Sequence, residues 1–295
     1  LVKAYDAEST GVLVAAAGGL PLAFVSAFHI VPDGALRPSL LLASALLVVF
    51  AAACILVMGT GITTFIAAAT AGVFGVLAFL VATLVAHPAP GIAAGTVAVA
   101  LAGISILPRA TIWLAKLPLP QVPNTAEELK EDSEQPDYSA IERRTSVAHN
   151  YMTGLLVGSG AVTAVAAVIT ASSGDVWGIL TAVAATLVLL LRGRTYANGA
   201  QAVALLTTGM AAAGGILVGW LWTEDPTGRI LWIFGVLVLL GAAALVLGVV
   251  FPDQRFTPPM RRTVEIFEAV CIASVIPLAL AVMGLYSTLR HLDIG

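Results

Sequence analysis

Residues 39–58 read SLLLASALLVVFAAACILVM, twenty positions without a charged side chain, and this stretch decides the fold class. An α-helix rises about 1.5 Å per residue, so twenty such residues cross the roughly 30 Å of hydrocarbon in a bilayer. The run is apolar apart from two serines, and it lacks the in–out alternation of a membrane β-strand. It therefore predicts a transmembrane helix.

The chain on both sides of this stretch repeats the pattern. No Asp, Glu, Lys or Arg occurs between Arg37 and Arg109, where the breaks Gly59–Gly61 and His87–Gly91 separate the helices. We predict an all-α polytopic membrane protein with nine transmembrane helices. Their approximate bounds are Thr10–Val31, Ser39–Met58, Ile62–Ala86, Gly91–Leu107, His149–Ser172, Val176–Leu191, Tyr196–Trp222, Ile230–Phe251 and Thr263–Leu289.

The composition supports this prediction. Hydrophobic residues make up 59% of the 295 positions and charged residues 11%, against roughly 25% charged in a soluble domain. A soluble protein needs more polar surface than this chain can supply. The net charge of -3 is too small to indicate a nucleic-acid partner.

Positive charges are distributed unevenly between the two sets of loops. One set holds eleven of the fourteen Lys and Arg residues, and the other holds Arg37, Arg229 and Arg290. Cytoplasmic loops carry the excess of positive charge in membrane proteins. We therefore predict that the N-terminal end of the chain is cytoplasmic and that Gly295 lies outside.

A polar stretch divides the helices into two blocks. It begins at residues 117–123, LPLPQVP, whose prolines exclude a helix. We predict a first transmembrane block at 1–117 with four helices and a short interfacial segment. An acidic cytoplasmic loop at 118–147 and a second block of five helices at 148–295 follow.

No common catalytic motif occurs in the chain. It has no G-x-x-x-x-G-K-[ST] phosphate loop, no H-E-x-x-H zinc motif and no G-x-S-x-G nucleophile elbow. The four histidines lie near the ends of different segments, without an i,i+4 pair. We predict a protein that is not an enzyme and has no cofactor. An enzyme acting on lipid-linked substrates is disfavoured because the necessary clusters of acids and histidines are missing.

Glu265 and Glu268 form the first candidate site, because residues three apart share one face of the last helix. Acids inside a bilayer usually serve a function. A structural role is favoured here, because both acids would lie at the cytoplasmic end of a long helix. There Arg261 and Arg262 can pair with Glu265, and negative charge suits the helix N-terminus.

The turn LRGRTYANGAQ at residues 191–201 is the second candidate site. Arg192 and Arg194 fit a tight cytoplasmic turn that faces anionic lipid or a partner protein. Asn198 and Gln201 continue as a polar face in the next helix, where amides bond to neighbouring helices; this is favoured over a substrate site. The remaining assembly candidates, at the exit from the first block, are Arg109, Pro118 and Pro120.

Small residues predict where helices approach closely. The pairs Gly91/Gly95, Gly154/Gly158 and Gly215/Gly219 each have the Gly-x-x-x-Gly spacing that lets two backbones come together.

A stand-alone secondary solute transporter is the main alternative function. Transporters have helices broken at mid-membrane and buried polar groups there. Candidate kinks at residues 18–21 and at Pro277, with Glu265 and Glu268, support this alternative. Neither kink is accompanied by a central acid or base, which favours a scaffold.

Three features together resemble one family. They are the Leu117-Pro118-Leu119-Pro120 exit after a four-helix block, the acidic cytoplasmic loop, and the turn from Leu191 to Gln201. In these the chain resembles the EccD family, the polytopic membrane components of the type VII (ESX) secretion systems of mycobacteria and their relatives.

The resemblance implies an eleven-helix membrane domain preceded by a cytosolic ubiquitin-like domain, so we expect this chain to be the last nine helices. It implies a non-enzymatic scaffold in the bacterial inner membrane that dimerises with a second EccD copy around a space filled with membrane lipids. The other implied partners are EccB, the FtsK-like ATPase EccC, and EccE, with no nucleic acid. No catalytic residue is implied.

Overall fold

The structure, a computed structural model, describes residues 8–31, 35–85, 87–114, 138–228, 233–239, 258–286 and 288. All regular structure in these ranges is helical, and eight helices are long and apolar enough to span a membrane. They are α1 (Glu8–Val14, a π-helical turn at Ala15–Gly19, and Leu20–Phe28), α2 (Leu36–Met58), α3 (Ile62–Leu84), α4 (Ala89–Leu114), α5 (Tyr138–Ala171), α6 (Val176–Arg192), α7 (Gly199–Thr223) and α8 (Pro258–Val282).

The predicted all-α polytopic fold is confirmed. Eight of the nine predicted segments correspond to α1–α8 in order. The other one, Ile230–Phe251, lies outside the described residues except for 233–239, which are helical. The total of nine therefore stays a prediction. Large apolar side chains face outward, as Leu56 and Leu84 do at 85% and 76% exposure, which suits a surface in contact with lipid.

Helices α4 and α5 extend beyond the predicted segments. Helix α4 continues through Pro108 to Leu114, so residues 112–114 are part of this helix. Pro108 has no N–H to donate to the Ile104 carbonyl, and the helix nevertheless continues through it, as membrane helices can. Three residues later, the Thr111 hydroxyl donates to the Pro108 carbonyl at 2.9 Å. Helix α5 is 34 residues long and begins inside the predicted loop. Residues 118–137 of that loop lie outside the described residues.

A tight turn joins α2 to α3 at the predicted break. Gly59 and Gly61 both have a φ of 67°, in the left-handed region that glycine adopts without steric cost. The N–H of Gly59 donates to the Ile55 carbonyl at 3.2 Å and so closes the last turn of α2.

Helix α1 is irregular at the predicted kink. The π-helical turn Ala15–Gly19 ends two residues before Pro21. Proline has no N–H to donate to the carbonyl four residues earlier, and its ring clashes with that carbonyl. A wider turn at this position relieves the clash.

The described residues form two units. The first comprises those up to Val76 and those of Ala102–Ser159; the second comprises Leu77–Leu101 and those from Gly160 onward. In the first unit, Ala51 and Cys54 of α2 pack with Phe65 of α3 in a buried cluster.

Helices α3 and α5 cross in the first unit at the predicted pair Gly154/Gly158. A Cβ on Gly154 would lie 2.6 Å from the Thr63 carbonyl oxygen, and one on Gly158 would lie 2.5 Å from the Ala67 carbonyl oxygen. The predicted close approach is confirmed here. At Gly219, by contrast, a Cβ would meet nothing within 4 Å in the described part of this chain, so a close approach there stays a prediction.

In the second unit, α6 packs against both α7 and α8. Small residues on a membrane helix let its neighbours come close. The buried residues of α6 are largely of this kind: Gly178, Thr181, Ala182, Ala184, Ala185, Thr186, Val188 and Leu189.

Candidate assembly site at the end of α6

The candidate site begins where α6 ends. Arg192 closes that helix, and Gly193–Thr195 continue as a 3-10 turn that carries Arg194. The partial negative charge at a helix C-terminus favours a cation in the last turn. Gly193 lets this bend lie close to α7, because a Cβ there would be 3.2 Å from the Ala202 carbonyl oxygen.

Glu268 faces this bend from α8. It belongs to a stripe with Cys271, Val275 and Ala279, all at most 8% exposed. These residues recur at the three- and four-residue spacing of one helix face. Because α8 packs against α6, this stripe is the buried face of α8.

The carboxylate of Glu268 lies between two guanidinium groups. Its Oε2 accepts a hydrogen bond from Arg194 Nη2 at 3.1 Å, and its Oε1 lies 3.8 Å from Arg192 Nη1. The Glu268 side chain is 8% exposed, whereas those of Arg192 and Arg194 are 21% and 33% exposed. A buried carboxylate is costly unless it is paired. We call Arg192, Arg194 and Glu268 the Arg–Glu cluster; it carries one positive charge in excess.

Tyr196 follows the 3-10 turn directly and lies beside the cluster. Burial raises the pKa of its phenol, while the charge of Arg192 and a hydrogen bond to that residue lower the pKa; the Glu268 carboxylate raises it again. The net shift is upward. The phenol is therefore a neutral polar neighbour of Arg192 at physiological pH.

Asn198 lies just before α7 and not inside it. Its Oδ1 accepts a hydrogen bond from the Ala200 N–H at 2.9 Å, which makes it the N-cap of α7. The prediction that Asn198 lies on a helix face and bonds to neighbouring helices is wrong. The bend extends as far as residue 198, so α7 begins only after it. The first N–H groups of α7 have no carbonyl partner within the helix, and one of them donates to the nearest side-chain oxygen, that of Asn198. Gln201 is buried in the first turn of α7.

Glu265 has a different environment from Glu268. It pairs with Arg261 one turn earlier in the same helix, at 3.1 Å, as predicted, and these side chains are 54% and 77% exposed. An exposed pair of this kind contributes little to stability. Arg262 is also exposed.

Three assembly candidates remain. Arg109 is exposed near the end of α4, in the first unit. Pro118 and Pro120 lie outside the described residues. Their part in assembly stays a prediction.

The predicted turn site and Glu268 of the predicted acidic site lie together in the structure, whereas Glu265 does not join them. Arg194 and Glu268 are 74 residues apart in the chain. One signal could have linked them. A carboxylate inside a membrane helix needs a cation at the same depth, and both arginines end a segment on the same predicted side.

Comparisons with known proteins agree with one another. A family model described as "EccD-like transmembrane domain" matches residues 1–292. The chain is 28% identical over 251 residues to the ESX-4 secretion system protein eccD4 of Mycobacterium tuberculosis. The match covers 81% of this chain and 51% of that protein, so the chain spans about half the length of this relative.

Two solved structures have a similar fold. One is described as protomer 1 of the ESX-3 core complex; it has a TM-score of 0.72 and 22% identity, and the match covers 95% of this chain and 67% of that chain. The other is described as a MycP5-free ESX-5 inner membrane complex in State II. It has a TM-score of 0.62 and 23% identity, with coverage of 79% and 55%. At this identity the likeness concerns the helical fold.

Proposed function

The chain belongs to the EccD family of transmembrane domains, and from this premise we propose that it is a non-enzymatic membrane subunit of a type VII (ESX) protein secretion complex. The match over residues 1–292 carries the proposal. The secretion-system name of the relative in Mycobacterium tuberculosis supports it. The eight apolar helices make it a multi-pass membrane protein.

In this role the chain is a scaffold in the bacterial inner membrane. It pairs with a second EccD copy and binds the FtsK-like ATPase EccC, EccB and EccE. The bias of positive charge supports a cytoplasmic position for the turn at 191–201 and for the acidic loop at 118–147. The ATPase would supply the energy, which is consistent with a sequence that contains no phosphate-binding loop.

The Arg–Glu cluster has an internal task in this proposal. It joins the end of α6 to α8 and so keeps the bend at residues 192–198 in one shape. A turn held in one shape loses less conformational entropy when a partner binds it. We propose that this bend is a docking surface for cytosolic partners.

A stand-alone transporter is less well supported. A proton-coupled carrier needs an acid that gains and loses its proton in each cycle. Glu268 is held by two guanidinium groups, and Glu265 is exposed beside Arg261. Uptake that depends on Glu265 or Glu268 would favour the transporter.

The first experiment is gentle extraction of the tagged protein from its native membrane, followed by sizing and identification of what co-purifies. We expect an assembly many times larger than the chain, with an ATPase and single-span subunits in fixed ratio. Recovery as a lone monomer or dimer, under conditions that keep other complexes intact, would overturn the proposal.

A charge swap tests the task of the cluster. Arg194→Glu alone places two carboxylates together and should reduce the yield of the complex. The double variant Arg194→Glu/Glu268→Arg restores two cations and one anion, and it should restore the yield. Arg37→Glu, a charge reversal at an exposed arginine of α2 outside both candidate sites, is the control. A double variant that is folded but still fails to assemble would show that Arg194 itself contacts a partner.

A further inference from the structure

The bend between α6 and α7 lies at an edge of the apolar part of the chain. The membrane span that contains α6 ends at Thr195, and the next span begins at Gly199. Arg194 is therefore at the end of an apolar span, where the hydrocarbon of a bilayer gives way to lipid headgroups. Its side chain is 33% exposed, so a headgroup can reach it.

Apolar side chains face outward beside this bend. On α8, Phe267 and Val270 lie close to Glu268 in the sequence, and both are exposed. Near the start of α7, Val203 and Leu206 are also exposed. Exposed apolar side chains on a membrane helix contact the acyl chains of lipids. A lipid next to the bend therefore has apolar protein surface for its chains as well as a charged group at headgroup depth.

Arg194 keeps donors for a ligand. Its Nη2 donates to Glu268 Oε2 at 3.1 Å, and it makes no other hydrogen bond among the described residues. A guanidinium carries several N–H groups in one planar fork, which matches the oxygens of a phosphate. The cluster also has one positive charge in excess. We propose that the Arg–Glu cluster binds the phosphate of an anionic phospholipid, with Arg194 as the main donor.

The charges on the adjoining parts of the chain do not oppose an anion. Helix α7 has no charged residue, and its N-terminus carries a partial positive charge. On α8, Arg261 and Glu265 neutralise each other, and Arg262 adds a positive charge. Residues 252–257, which precede α8 and lie outside the described residues, contain one acid and one base.

This inference does not depend on the proposed function, because a lipid can bind whether or not a secretion complex forms. Thr195 and Ala197 of the bend are exposed as well. A headgroup at Arg194 therefore leaves part of the bend open to protein partners.

A lipid titration of the full chain in detergent, followed by native mass spectrometry, tests the proposal. The probes are phosphatidylglycerol, which is anionic, and phosphatidylcholine, which is neutral overall. We expect the first phosphatidylglycerol to bind about fivefold more tightly than phosphatidylcholine, the factor expected for one arginine near a membrane surface. Inorganic phosphate at the same concentration should not displace the lipid, because it has no acyl chains to contact Phe267 and Val270.

Two variants of the cluster should change the binding in opposite directions. Arg194→Gln should weaken phosphatidylglycerol binding about fivefold and leave phosphatidylcholine binding unchanged. Glu268→Gln should strengthen phosphatidylglycerol binding by a similar factor, because it raises the net positive charge of the cluster from one to two. Both substitutions disturb the same ion pairs, so general damage to the bend would weaken binding in both.

Arg109→Gln, at an exposed arginine near the end of α4, is the matched control for loss of one positive charge. It should change phosphatidylglycerol binding by less than Arg194→Gln does. Equal affinity for the two lipids, displacement by inorganic phosphate, or weaker binding in Glu268→Gln would each contradict the proposal. Unchanged lipid binding in Arg194→Gln would also contradict it, and would indicate an acidic protein segment as the ligand of the cluster.

Discussion

The α3–α5 crossing and the α6–α8 crossing each join membrane helices that are distant in the chain, but by different means. At α3–α5, Gly154 and Gly158 lie against the carbonyl groups of Thr63 and Ala67. At α6–α8, two arginines hold one buried glutamate. The first crossing depends on the absence of side chains, and the second depends on the presence of three. A steric crossing should therefore fail when bulk is added, and an electrostatic one when a charge is removed.

The largest effect is expected from Gly154→Leu. The new Cβ would lie 2.6 Å from a backbone oxygen, which cannot move as a flexible side chain can. We expect a loss of about 3 kcal/mol or more, or no folded protein. Thermal unfolding in detergent, followed by size-exclusion chromatography, measures it. The matched control is Gly214→Leu, where a Cβ meets no atom of the described residues within 4 Å. Equal losses in both variants would refute the steric explanation.

Removal of the central charge from the second crossing should have a smaller effect. Glu268→Ala leaves Arg192 and Arg194 side by side without their carboxylate. Partial exposure of both arginines lets water screen them, so we expect a loss of about 2 kcal/mol, below the range for fully buried pairs. Glu265→Ala is the control, because that side chain is 54% exposed. If both variants unfold at the same temperature, the cluster does not stabilise α6–α8.

The N-cap of α7 lies in the bend at residues 192–198. Removing this cap tests whether the shape of the bend contributes to the α6–α8 crossing. Asn198→Ala removes the acceptor for the Ala200 N–H, and we expect a loss of about 1 kcal/mol. Asn198→Ser keeps an acceptor and should be nearly neutral. The same unfolding measurement distinguishes them. A loss in Asn198→Ser as large as that in Asn198→Ala would mean that the amide has another role.

The smallest effect is expected at the exposed pair of α8. Arg261→Ala breaks the contact with Glu265, and we expect a change below about 0.5 kcal/mol because solvent screens both groups. Raising the salt concentration should leave this variant and the native chain almost equally stable. A loss comparable to that of Glu268→Ala would show that the Arg261–Glu265 pair and the Arg–Glu cluster act together.

The sequence predicted the steric crossing more completely than the electrostatic one. Gly154 and Gly158 are one turn apart, so the pattern that predicts their contact is local. The Arg–Glu cluster forms only if its three charged groups lie at the same depth in the membrane. That depth is set by the residues at which α6 and α8 begin and end. Those boundaries shifted where local chemistry intervened: Asn198 capped α7 later than predicted, and α4 continued through Pro108. The lengths of the apolar segments predicted the fold class, but they did not predict which charged side chains contact one another.

Helix α5 has a mechanical consequence that follows from its length. Tyr138 precedes the crossing at Gly154 by sixteen residues, about 24 Å of continuous helix. With the crossing as a pivot, this part of α5 is a lever. A rotation of the helix by about 10° would move Tyr138 by about 4 Å, so small tilts within the bilayer become displacements large enough to make or break contacts beyond it.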